Sequence, residues 1–151
     1  MTAILQDTFN QYADIAYHAQ LNTDFPRWVD SFHAEGSSIG FGVAVSRGTL
    51  DTQAVLGGAN TSDIIGVTLR THAVENDIAG IPTYDKNRLM SVLKKGRMYL
   101  RISDGSVNGA QVYVVPATGE IVSTAADNVA LDRAEFVRTT AAGGITEIEI
   151  K

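Results

Sequence analysis

The stretch 96-GRMYLRISDGSVNGAQVYV-114 limits the possible folds more than any other part of the chain. Met98, Leu100 and Ile102 alternate with Arg97, Tyr99 and Arg101, which is the two-residue period of a strand with one apolar and one wet or contacted face. The pattern breaks at Asp104-Gly105 and Asn108-Gly109, both turn dipeptides, and resumes in 111-QVYV-114, as a hairpin requires. Burying each of the three apolar side chains contributes about 1.5–3 kcal/mol, so a one-residue slip that buried Arg97 and Arg101 instead would be strongly disfavoured. Register is therefore written into the alternation. Met98, Leu100, Ile102, Val112 and Val114 are the expected interior.

The same pattern recurs in 39-IGFGVAVSRG-48, 63-DIIGVTLR-70, 89-LMSVLKKGRMYLRI-102, 110-AQVYVVPATGEIV-122 and 145-ITEIEIK-151, with glycines between or at the ends of the runs. Breaks every eight to twelve residues or so suggest a small barrel or sandwich, and 151 residues make one domain that buries roughly two thirds of its unfolded surface. Residues 57–64 and 75–87 are loops by composition. The segment 126-ADNVALDRAEFV-137 is open between helix and strand-and-turn. Asp127 or Asn128 can cap a helix, and Val129, Ala130, Ala134 and Val137 are acceptably spaced for one. The fold class is mainly β: a small barrel-like domain over 39–151, at most short helices, and an extended N-terminal arm over 1–38.

The arm is set apart by its aromatics, because it holds the single Trp, three of the five Phe and two of the five Tyr, and by Pro26, which removes a backbone donor. No period of 3.6 or 2 persists through it. Phe25, Trp28 and Phe32 have two readings: they pack on their own barrel, or they find burial on a neighbouring subunit.

No function class based on chemistry is well supported. The absence of cysteine excludes disulfides and thiolate metal sites, and a net charge of −5 without a Lys/Arg run disfavours nucleic acid. No signal-like start and no run of about 18 apolar residues is present, so a soluble, unexported protein without a membrane partner is expected. The run 36-GSSIG-40 matches the nucleophile-elbow pattern around Ser38, but a strand pattern follows it where a helix is needed, and the one later histidine is His72. His18, His33 and His72 fall at no metal-site spacing, and Asp104 and Asn108 lack the rest of a calcium loop. Lys94 and Lys95 invite comparison with the barrels that carry biotin or lipoate on a hairpin lysine, yet 92-VLKKGRM-98 reads as a strand passing through a bend.

Taken in order, the pieces 15-IAYHAQLNTDFPRWVDSFHAEG-36, 39-IGFGVAVSRG-48, 63-DIIGVTLR-70, 90-MSVLKKGRMYLRI-102, 107-VNGAQVYV-114, Thr118-Gly119 and 129-VALDRAEFVRTTAAGGITEIEI-150 resemble the head decoration, or capsid cement, proteins of tailed bacteriophages. Each piece alone is a strand-and-glycine pattern, and their co-linear order carries the resemblance. Tyr17, His18 and Asn22-Thr23 depart from the arm common in that family. The resemblance implies a non-enzymatic virion protein without cofactor or metal. It implies a homotrimer, made in the host cytoplasm, that sits on the capsid exterior and clamps neighbouring major capsid subunits. Phe25, Arg27, Trp28 and Phe32 are the expected capsid or subunit contacts. The alternatives are a biotinyl- or lipoyl-type carrier and another phage structural protein of the tail or baseplate.

Overall fold

The computed structural model describes residues 16–71 and 83–151, and among these there are strands and turns but no helix. In chain order the strands are β1 (Gln20–Leu21), β2 (Trp28–Ala34), β3 (Ile39–Gly40), β4 (Ala44–Arg47), β5 (Gln53–Leu56) and β6 (Ile64–Thr68). They continue with β7 (Thr83–Tyr84), β8 (Leu89–Arg101), β9 (Gln111–Val114), β10 (Ile121–Val122), β11 (Val129–Phe136) and β12 (Ile145–Ile150).

Five strands close a small barrel: β2 pairs with β5, β5 with β4, β4 with β6, β6 with β8, and β8 returns to β2. Closure leaves no free edge among these five. The 13-residue β8 then passes Gly96, where φ is +129°, and its second half pairs with β1 and β12. The antiparallel order β12-β11-β9-β10 continues this second sheet away from the barrel. One strand thus belongs to both halves of the molecule, and glycine supplies the backbone geometry at the change of partner.

The alternation read from 96–114 is realised. Met98, Leu100, Ile102, Val112 and Val114 are each no more than 1% exposed and join one core with Val92, Leu93, Leu131, Phe136 and Ile148. The expected single strand over 39–48 is two: β3 and β4 are separated at Gly42, whose φ of +68° breaks the extended run. The segment left open at 126–137 is β11, preceded by a turn in which Asp127 has a φ of +56°. Its helix-forming residues are overridden by pairing on both edges, with β9 and β12. A register shift lies between Ala130 and Glu135, and the Gln111 side-chain amide bridges it by donating to the carbonyls of Leu131 (2.7 Å) and Ala134 (3.4 Å).

The segment expected as an arm contributes β1 and β2 to the sheet. From Val29 to His33, β2 runs in antiparallel register against Leu93 to Leu89 of β8. His18 fixes the approach to β1. Its Nδ1 accepts from the Arg101 backbone N–H (2.9 Å), so its Nε2 carries the ring proton and donates to the Phe41 carbonyl (3.0 Å). Further along, Asn22 donates to buried Glu147 (2.8 Å), which also accepts from Arg138 (3.2 Å).

Candidate functional site

Three of the four expected contact residues, Phe25, Arg27 and Trp28, lie around Gly96. A Cβ on that glycine would lie 3.1–3.2 Å from Arg27 Cβ, Arg27 Cα and the Pro26 carbonyl oxygen, so residues 25–28 wrap closely over the point where β8 changes partners. Phe25 and Trp28 stay exposed there, Trp28 at 60%. Each ring is covered by a cation: Arg97 Cζ lies 3.9 Å from the Phe25 centroid, and Lys94 Nζ lies 4.9 Å from that of Trp28. The cations are oriented in turn by carboxylates, Glu149 at 3.5 Å from Arg97 and Asp30 at 3.7 Å from Lys94. Arg27 donates to the Thr23 carbonyl at 3.2 Å. Phe32 is placed differently, since it is partly buried against the barrel core and anchors β2 from beneath.

A cavity of about 320 Å³ opens beside this turn, lined by Phe25, Pro26, Lys95, Arg97, Glu149 and Lys151. The sequence singles out the aromatics Phe25 and Trp28 at this turn. Apart from Arg27, the cations of the site were missed, because Lys94, Lys95 and Arg97 read as the wet face of a strand and Lys151 is distant along the chain. Only the pairing of β8 with β2 and β12 brings them to the aromatics. A second cavity, of about 480 Å³, is lined by His18, Val43, Arg101, Ser103, Glu120 and Ile121 among others. Burial and the positive charges of Arg101 and Arg70 hold the His18 pKa below its ordinary value, outweighing the raising effect of the Phe41 carbonyl.

The other sequence candidates have local explanations. Ser38 sits in an exposed loop that leads into strand β3, so the elbow lacks its helix; His72 lies outside the described residues. Lys94 and Lys95 lie within β8 and not at a hairpin tip, unlike the lysine of a carrier domain. Asp104 ties its turn to a remote one by accepting from the backbone N–H groups of Ser123 and Thr124 and from the Thr124 hydroxyl (2.7 Å). Burial alone would raise its pKa, but these donors, led by Thr124, bring it below the usual carboxylate value. His33 Nδ1 is 3.1 Å from the Asn87 carbonyl oxygen. Among the described residues no three His, Cys, Asp or Glu side chains gather in a metal-binding group.

No curated protein matches the sequence significantly. Among solved structures, a chain of "The capsid of Myoviridae Phage XM1" is similar at a TM-score of 0.72 and 14% identity, covering 98% of this chain and 97% of that one. The head fibre gp8.5 N base of bacteriophage phi29 is a more distant likeness, at a TM-score of 0.45 and 12% identity, with 83% of this chain and 95% of the other covered. The first shares the all-strand fold; the second is too remote to bear on it. Residues 5–151 match the family described as "Structural cement protein (E217 gp24/Pam3 gp6)". Nearly the whole chain is included in that match, as the co-linear pattern of strands and glycines anticipated, and the protein belongs to the phage structural cement family.

Proposed function

We propose that the protein binds the exterior of a phage head and clamps neighbouring major capsid subunits, acting as a homotrimer and without catalysis. The family match over residues 5–151 carries this reading. The net charge of −5 suits an outer surface better than one facing packaged DNA. In this reading residues 1–38 are the contact-making part and 39–151 the larger part of the rigid body. Strands β1 and β2 of the first join the sheet of the second, with Phe25, Arg27 and Trp28 at the contact and Phe32 holding their strand in place. The partner is the major capsid protein, with no nucleic acid or membrane involved. The protein is made in the host cytoplasm and carried in the virion.

The physical mechanism is linkage. A protein that binds only the assembled lattice stabilises it by RT ln(1 + [L]/Kd), about 2.7 kcal/mol per site at a hundredfold excess over Kd. Repetition over equivalent sites turns modest contacts into resistance to internal pressure. Heads lacking the protein should release DNA at a lower temperature than the same heads with saturating protein added back. An unchanged release temperature at full occupancy contradicts stabilisation.

A further inference from the structure

We propose that the turn around Gly96 docks an acidic strip of the capsid partner, one that presents carboxylates beside an apolar side chain. This rests on the capsid-binding reading above and names the chemistry of the surface recognised. Five cations lie at this end of the barrel: Arg27, Lys94, Lys95, Arg97 and Lys151. The carboxylates there are Asp24, which precedes Phe25 in the turn, and Asp30, Glu135 and Glu149. The patch is therefore +1 in a chain of −5, which leaves −6 on the remaining residues.

The charge is also available. Among the described residues Lys95, which is exposed, pairs with no carboxylate, and the side-chain bond of Arg27 goes to a carbonyl. The exposed rings of Phe25, which lines the open cavity, and of Trp28, which lies against Lys94, provide the apolar part of the contact. Aromatic side chains beside cations form an anchor with a charge preference, and the preference is for carboxylates. Asp30, Glu135 and Glu149, interleaved with the cations, would repel a continuous phosphate backbone, which favours a protein partner over a nucleic acid.

The test is co-sedimentation of the purified full chain with heads that lack it, from about 0.1 M to about 1 M salt, over which the screening length contracts from ~10 to ~3 Å. Affinity of the unsubstituted protein should fall steadily with salt, a readout that needs no variant. The double reversal Arg27→Glu, Lys95→Glu should retain the wild-type melting temperature and bind heads at least about tenfold more weakly, as expected for lost charge complementarity. Lys86→Glu, a reversal in the exposed 85–88 turn, should bind as the wild type does. Salt-independent binding, or full affinity of a folded double reversal, overturns the inference and leaves capsid binding standing. So does weakened self-association with head binding intact, which would make the patch an interface between copies, and so does capture of single-stranded DNA in preference to heads. If the unsubstituted protein fails to bind heads at all, the capsid-binding reading falls, and this inference with it.

Discussion

Leu100 and His18 show how single residues hold this fold together. Leu100 is 1% exposed in the shared core, and Leu100→Ala should cost about 2–5 kcal/mol in denaturant unfolding, as for other fully buried leucines. Arg101→Ala, on the opposite face, should cost clearly less. His18 is neutral in the fold: its Nδ1 has no room for a proton while it accepts from Arg101 N–H, and a Cβ on Gly42 would come within 2.6 Å of its ring. With the folded pKa below the unfolded value near 6.5, the unfolded chain binds more protons between the two values, so stability rises with pH there. The His18 contribution is complete above pH 6.5 and declines as pH falls from that value toward the folded pKa. Urea midpoints should drop between neutral and mildly acidic pH, and His18→Gln should flatten that part of the profile. An unchanged slope in the variant would mean that other groups carry it. None of this was legible beforehand, since a lone histidine has no spacing signature and its partners lie 23 and 83 residues away.

Strands differ in how openly their sequences declare them. β8 is readable because its second half puts apolar and polar chemistry on opposite faces without exception from Arg97 to Ile102. β2 conceals itself. Its inward side carries Asp30, Phe32 and Ala34, its outward side Val29, Ser31 and His33, and a register shift separates Trp28 from Val29, so hydrophobicity does not alternate even though burial does. β11 is masked by helix-forming residues whose conformation is decided by two neighbouring strands. Because β2 sits between β5 and β8, it closes the barrel. Deleting residues 1–36 should therefore abolish cooperative thermal unfolding monitored by circular dichroism. A truncated chain that melts cooperatively near the wild-type temperature would show that the barrel tolerates an open edge. Trp28→Ala, by contrast, removes an exposed ring and should leave the melting temperature nearly unchanged while weakening association.

At the scale of the molecule, barrel and second sheet act as one body. Besides the shared β8, Arg133 on β11 donates to the carbonyls of Ile64 (3.0 Å) and Ile65 (2.8 Å) in β6, and burial lowers its pKa. The 115–119 turn packs so closely on the barrel that a Cβ on Gly119, where φ is +69°, would lie 2.5 Å from the Ala44 carbonyl oxygen. Gly119→Ala should accordingly destabilise both halves together, by about 1–3 kcal/mol. Near-ultraviolet and far-ultraviolet melts should remain coincident, whereas two separated transitions would show that barrel and sheet unfold independently. Phe25, Trp28 and the cations beside them, held at one end of this body, are the surface assigned to the proposed clamp. The most direct test of that role is a cryo-electron microscopy reconstruction of heads saturated with the protein. The account predicts density on the outer surface that spans at least two neighbouring capsid subunits, with the Phe25–Trp28 turn against the shell. Density inside the head, or on a single subunit with that turn facing solvent, would contradict it.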